Sequence, residues 1–286
     1  MDDVVPSLPR RVGVLGGGRM GAGIAHAFLV NGCDVLVVER DDDAAAGARE
    51  RVESAVAKSV ERGLTGSVSS FVSRLTVSTD YAGFADRDLV VEAVPEIWDL
   101  KVSSLQGVEK HLAPSAFLAS NTSSLSMSGL AAELERPQNF IGLHFFNPVP
   151  ASTLIEVVIA KQTLPALVDS ARGWVAGLGK TAVVVNDAPG FASSRLGVAI
   201  ALEAMRMVEE GVASAEDIDN AMVLGYKHPT GPLKTTDIVG LDVRLGIAAY
   251  LHSTLGERFA PPQILRDKVA RGELGRKSGK GFYDWA

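Results

Sequence analysis

Short apolar runs alternate with longer stretches of helical spacing along the first two thirds of the chain. Runs at 12–15, 34–39, 74–78, 88–94, 116–120, 140–144, 154–159 and 181–185 predict strands. Stretches at 20–30, 41–62 and 99–112 predict helices, the first closed by Asn31-Gly32 and the last by Pro114. Several of the strand runs are nearly unbroken Val, Ile and Leu, which fits strands covered on both faces, as in a parallel sheet between helix layers. The alternation predicts a doubly wound α/β domain over residues 1–187.

The pattern changes at Asp187-Ala188-Pro189-Gly190. Residues 188–286 predict an all-α second domain, with helices at 192–210, 215–224, 241–255 and 261–271 and an irregular glycine- and lysine-rich tail from Gly275. The helix at 192–210 carries Leu196, Val198, Ile200, Leu202, Met205 and Met207 around much of its circumference, so it is expected to be buried on more than one side, at the centre of the second domain, at a subunit interface, or both. Ser214, followed by Glu216 and Asp217, marks a helix start without the full capping box.

Composition narrows the function classes. The chain has 286 residues, 47% of them hydrophobic, enough for a real core. A net charge of -6 argues against nucleic acid as the main partner, because phosphate backbones need a concentrated basic surface. The single cysteine, Cys33, excludes a disulfide framework and a cysteine metal cage, and its place before an apolar strand predicts a buried, inert thiol. The acidic start Met1-Asp2-Asp3, soon followed by Pro6, has no secretory pattern, and no apolar run is long enough to span a bilayer. A cytoplasmic enzyme without a metal is the expectation.

The chemistry begins at Gly16-x-Gly18-x-x-Gly21, placed between an expected strand and an expected helix. In that context Gly16 permits a tight turn, Gly18 lets backbone approach a pyrophosphate, and Gly21 lets helix and sheet pack closely, as in a Rossmann-type dinucleotide site. Glu39 closes the second strand 18 residues after Gly21, where a carboxylate would hold adenosine ribose hydroxyls and repel a 2′-phosphate. This favours NAD over NADP, although Arg40 beside it could pair with such a phosphate.

His144 ends an apolar strand in GLHFFNPVP, close to Asn147. Twelve residues on, Glu156 lies inside the apolar run LIEVVI, where a carboxylate is costly unless paired. If the two strands are neighbours, Glu156 could accept one imidazole N–H and leave the other nitrogen to take a hydroxyl proton. The same spacing also fits a core histidine with a satisfied hydrogen bond. The hydroxyl-rich segment Ser120 to Gly129 suits either a helix-capping turn or a cradle for a polar ligand.

Taken together, VGVLGGGRMGAGIA, DLVVEAVPE, ASNTSSL, GLHFFNPVP, DAPGF, ASAEDIDNAM, GPLKTTDIVGLD and GRKSGKGFYDW resemble, in order and over nearly the whole chain, the L-3-hydroxyacyl-CoA dehydrogenase family, 3-hydroxybutyryl-CoA dehydrogenase type. The resemblance implies NAD as cofactor and a short-chain acyl-CoA as substrate, oxidised reversibly to the 3-ketoacyl-CoA. It implies His144 as general base oriented by Glu156, Ser123 at the substrate oxygen and nicotinamide, and Asn147 beside the base. Glu96 and Lys101 would line the cofactor cleft, and Lys277 would reach the cofactor, although by themselves the two lysines read as solvated charges. Ser194 stands where the family commonly has an Asn that positions substrate, and its shorter hydroxyl would lose that contact or bridge it by water. The resemblance also implies a homodimer, with the helical domain serving substrate binding and dimerisation.

Two other readings share these residues. The same fold and dyad could act on a non-CoA 3-hydroxy acid or a carrier-protein thioester. A dinucleotide-binding protein without turnover is the other, opposed by the presence of His144, Glu156, Ser123 and Asn147.

Overall fold

The computed structural model describes residues 8–285. The acidic start and Pro6 lie outside the described residues. The chain divides into two compact units, residues 1–188 and 189–286.

The first unit is built on one eight-stranded sheet: β1 (Arg11–Leu15), β2 (Asp34–Val38), β3 (Leu75–Ser78), β4 (Leu89–Glu92), β5 (Phe117–Ser120), β6 (Phe140–Phe145), β7 (Leu154–Ile159) and β8 (Thr181–Asn186). Their order is β3-β2-β1-β4-β5-β6-β7-β8. Pairings from β3 across to β6 are all parallel, as the doubly wound pattern predicts. The expectation of a parallel sheet fails at β7, which runs antiparallel to β6. Only residues 146–153 separate the two strands, too few for the crossover that a parallel return requires. The helix α6 (Pro165–Gly177) then supplies a crossover, and β8 lies parallel to β7.

The other helices of this unit are α1 (Arg19–Val30), α2 (Asp42–Glu61), α3 (Val68–Val72), α4 (Trp98–Glu109) and α5 (Met127–Ala132). α2 starts where Asp41 accepts the Ala44 amide at 2.7 Å and carries Asp42 and Asp43 in its first turn, a favourable match to the helix dipole. The short helices α3 and α5 and the crossover helix α6 were not expected from periodicity. α6 nonetheless opens on Pro165 and buries Leu167, Ala171, Trp174 and Val175 at helical spacing. Val12, Val14, Ile24, Phe28, Val37, Val91, Ile141 and Val157 form part of a continuous core between sheet and helices, each with essentially no exposure. Such burial contributes about 1.5–3 kcal/mol per large apolar side chain. Cys33 is buried beside this core, and burial, assisted by Asp34, raises its thiol to about 11, which leaves it inert at neutral pH.

The second unit holds α7 (Ser193–Glu209), α8 (Ala215–Asn220), α9 (Pro232–Val239), α10 (Leu241–Leu255) and α11 (Gln263–Ala270). No strand occurs in it among the described residues, which agrees with the all-α expectation. The helix expected over 215–224 is α8 followed by a single π-helical turn at Ala221–Gly225. Ser214 caps α8 by accepting the Asp217 amide at 3.1 Å. On α7, Val198, Ala201, Leu202, Ala204 and Met205 are buried within the chain, whereas Leu196 is 63% and Ile200 38% exposed. Leu196 and Ile200 are four residues apart and share one stripe, which turns away from the unit's own core. The tail is irregular yet pinned. Asp237, fully buried, accepts the Phe282 and Tyr283 amides and the Trp285 indole N–H at 2.8–2.9 Å.

Candidate active site

The glycine turn joins β1 to α1. Gly16 has φ +89°, a conformation that glycine adopts at little cost. A Cβ at Gly21 would collide with the Gly16 carbonyl oxygen, so this glycine lets α1 begin immediately over the turn. Gly18 has nothing within 4 Å of a would-be Cβ, and α1 has no side-chain cap at its N-terminus. Open backbone at an uncapped helix N-terminus fits a dinucleotide's phosphates. Gly17, absent from the fingerprint, is the glycine that makes room for Ala48 of α2.

Glu39 stands just past β2 and turns to the loop: its Oε1 accepts the Gly17 amide at 2.7 Å and its Oε2 the Arg40 amide at 3.2 Å. Each oxygen keeps acceptor capacity for a ribose hydroxyl. Arg40 is exposed and paired with Asp41 at 2.8 Å.

β6 and β7 bring His144 and Glu156 together. The antiparallel register sets the two residues directly opposite, so their side chains rise from the same face. His144 Nδ1 lies 2.8 Å from Glu156 Oε2. Glu156 is fully buried and His144 is 7% exposed. The reversal of β7 that the periodicity did not foresee is what creates this pairing. The His144 ring also packs against Phe146, with centroids 4.5 Å apart. Asn147 follows in the exposed turn after β6, joined to Pro148 by a cis peptide bond.

Glu96 organises the hydroxyl-rich loop after β5. One of its oxygens accepts the Thr122 hydroxyl at 2.5 Å, the Ser123 amide at 2.9 Å, and the Ser124 amide and hydroxyl at 3.0 Å. Burial pushes the Glu96 carboxyl up, but Lys101 and these donors outweigh it and hold the group below the usual carboxylate range. Ser123 is therefore held by its backbone, while its hydroxyl makes only a long 3.4 Å approach to Glu96. Asn121 fastens the same loop to β6 by accepting the Phe145 amide at 2.8 Å, one residue after His144. Asp187, at the end of β8, accepts the Ser126 hydroxyl and the Ser128 amide at 2.8 Å and anchors the start of α5.

Lys101 corrects its reading as a solvated surface charge. It is 1% exposed, and its Nζ lies 2.6 Å from Glu92, 3.3 Å from Glu96 and 3.2 Å from the Val94 carbonyl oxygen. Glu92, fully buried, also accepts the Ser120 hydroxyl at 2.6 Å and the Val94 amide at 2.7 Å. Sequence reasoning missed Glu92 although its signal equals that of Glu156, a carboxylate in an apolar strand. It also missed Asn121, Thr122 and Ser124, whose roles depend on loop geometry.

In the second unit, Ser194 sits half-buried in the first turn of α7. Lys277 is half-exposed and ion-paired to both oxygens of Asp242 at 2.6 Å. No group of three or more His, Cys, Asp or Glu that could hold a metal occurs among the described residues. None of the described helices is long and apolar enough to cross a membrane.

Two family models match the chain end to end. Residues 11–188 match the 3-hydroxyacyl-CoA dehydrogenase NAD-binding domain, and residues 190–285 match the C-terminal domain of the same family. A protein of Deinococcus radiodurans named probable 3-hydroxybutyryl-CoA dehydrogenase is 40% identical over 96% of this chain and 100% of its own. The mitochondrial hydroxyacyl-coenzyme A dehydrogenase of Rattus norvegicus is 38% identical over 97% of this chain and 92% of its own. The crystal structure of (S)-3-hydroxybutyryl-CoA dehydrogenase from Ralstonia eutropha superposes with a TM-score of 0.93 at 36% identity, covering 97% of this chain and 99% of that one. With both domain models matched in order and the sheet, glycine turn and His144–Glu156 pair in place, the chain belongs to the NAD-dependent 3-hydroxyacyl-CoA dehydrogenase family.

Proposed function

We propose that the protein oxidises a short-chain L-3-hydroxyacyl-CoA, such as 3-hydroxybutyryl-CoA, to the 3-ketoacyl-CoA, reversibly and with NAD. The observation that carries this reading is His144 Nδ1 at 2.8 Å from the fully buried Glu156 carboxylate. With Nδ1 donating to Glu156, Nε2 is left as the base that takes the 3-hydroxyl proton, and Glu156 stabilises the imidazolium that results. NAD, when bound, accepts the hydride from C3. In the reducing direction the protonated His144 returns its proton to the oxygen.

Ser123 and Asn147 are the polar groups we assign to the substrate oxygen and its surroundings, with Ser123 also facing the nicotinamide. Gly16, Gly18 and Gly21 provide the phosphate turn, and Glu39 the ribose contact. Glu96 and Lys101 act at one remove, by fixing the loop that carries Ser123. Ser194 and Lys277 belong to this reading as substrate and cofactor contacts supplied by the helical unit. A surface groove along α2, lined by Arg51, Lys58 and Arg62 together with Glu50, offers charge for the phosphates of coenzyme A. The exposed pair Leu196 and Ile200 on α7 supports a homodimer formed through the helical unit. A cytoplasmic setting belongs to this reading.

The test is oxidation of NADH on addition of acetoacetyl-CoA, compared with NADPH. Turnover with NADH and little with NADPH is expected. No oxidation with acetoacetyl-CoA or with longer 3-ketoacyl-CoAs would refute the proposal.

A further inference from the structure

Lys180 stands just before β8 and is half-buried. Burial alone pushes its pKa down, with no carboxylate acting in the other direction. A cation drawn out of water usually meets an acid, because the loss of hydration is costly. Lys180 instead spends its ammonium on two backbone oxygens. Its Nζ donates to the Val149 carbonyl oxygen at 2.8 Å and also to the Ser152 carbonyl oxygen. His26 of α1, 4% exposed, feels the same charge: burial first and Lys180 second hold its imidazole below the ordinary range.

Both oxygens belong to the turn at 146–153 that joins β6 to β7. The ladder fixes His144 opposite Glu156 and ends at the next pair, Phe145 and Ile155. Asn147 lies beyond it, exposed, with no strand neighbour to set its place. Inside the turn the Ala151 and Ser152 amides share one acceptor, the Pro148 carbonyl oxygen, at 3.1 Å. Pro148 and Pro150 have no amide to give. Val149 is buried against α1, where a Cβ on Gly23 would meet it at 2.8 Å. From the other side Lys180 supplies two charge-assisted bonds, each roughly twice as strong as a neutral one. The turn that follows the catalytic histidine is thus clamped by a lysine 36 positions away from it in sequence.

We propose that Lys180 is a positioning residue for the reaction: by clamping the Val149 and Ser152 carbonyl oxygens it fixes the turn that presents Asn147 beside His144. This rests on the dehydrogenase reading above, in which Asn147 meets the substrate. Lys180 acts through the turn, and the proton and hydride steps do not involve it. The ladder holds the His144–Glu156 pair without its help, so the geometry of Asn147 is what Lys180 controls.

The experiment is a double-mutant cycle on the full-length protein, assayed with acetoacetyl-CoA and NADH. Lys180→Met is expected to lower kcat by about 10- to 100-fold, the scale of a contact misplaced by about 1 Å. Lys180→Arg keeps charge and donors and should recover much of the loss. In an Asn147→Ala background, Lys180→Met should cost less than about threefold more, because residues that act as one unit are not additive. The Kd for NADH, from fluorescence titration, should stay within about twofold of wild type, since the glycine turn and Glu39 are untouched. Should Lys180→Met fail to fold, Lys180→Gln, which leaves one donor for the turn, carries the same comparison. Wild-type kcat in Lys180→Met would overturn the proposal. So would the full loss repeated in the Asn147→Ala background, or a fall in NADH affinity as large as the fall in kcat, the signature of a general structural role. Absence of turnover in the wild-type protein would instead sink the dehydrogenase reading itself, and this inference with it.

Discussion

Glu92 closes β4 and Glu156 lies within β7, and both carboxylates are fully shielded from water. Each is met by a nitrogen at close range, Lys101 at 2.6 Å in one case and His144 at 2.8 Å in the other. The pairs answer the same physical demand, since a carboxylate taken out of water needs donors. They differ in what the partner can do afterwards. An ammonium keeps its proton across the physiological range, whereas an imidazole gains and loses one there. Lys101 is also divided among Glu92, Glu96 and the Val94 carbonyl oxygen, and Glu92 among three donors. The first pair is a brace for two loops at the carboxyl edge of the sheet. The second has a geometry suited to proton transfer.

The largest effect that would separate a brace from a base comes from removing each nitrogen in turn. His144→Ala is expected to lower kcat by about 10²- to 10⁴-fold; it also takes a donor from buried Glu156 and costs stability, so turnover is read on the folded fraction. Near-normal turnover in that variant would remove the distinction. Lys101→Met should cost stability too, but with far less loss of kcat in the folded fraction. Breaking a buried pair leaves Glu92 uncompensated and costs about 3–5 kcal/mol of stability, read from urea unfolding. Pairing it with Glu92→Leu should restore much of that stability, because the stranded charge is gone. If Lys101→Met unfolds at the wild-type midpoint but loses turnover as fully as His144→Ala, Lys101 belongs with the chemistry and the comparison is wrong.

The two pairs were not equally visible in the sequence, although the pattern that marks them is the same. Glu156 stands out in LIEVVI because apolar residues flank it on both sides; Glu92 ends DLVVE and reads as a polar terminus. Strand positions followed from Val-rich runs, so β1 to β6 and their helices were largely legible. Strand direction was not, because periodicity is identical for a strand and its reverse, and the antiparallel β7 emerged only from the short connection before it. Helices α3 and α5 have five and six residues, too short for a periodic signal. The apolar circumference of α7 exceeded its buried face because composition cannot tell a residue covered within one chain from Leu196, which is not. The Glu96 loop network was beyond reach, since five donors converging on one carboxylate oxygen is a property of backbone path.

Glu96 supplies the smallest and most discriminating test, because it shares Lys101 with Glu92 but retains a side chain 34% exposed. Its carboxyl is held below the usual range in the folded state, where burial is outweighed by Lys101 and the Thr122, Ser123 and Ser124 donors. The sign follows from linkage. A folded pKa below the unfolded value of about 4.3 means that the unfolded chain binds the proton more readily. The stabilisation is therefore complete above that unfolded value and is lost as pH falls through the folded one. Partial exposure screens the interaction, so its worth is about 1 kcal/mol or less. Glu96→Gln should melt slightly below the wild type at pH 7 and converge with it as pH drops below about 4, measured as Tm against pH. A gap that stays constant with pH would mean that the loop depends on the shape of the side chain and not on its charge. In that event Lys101 braces through Glu92 alone, and Ser123 is held by hydrogen bonds that a neutral amide can also accept.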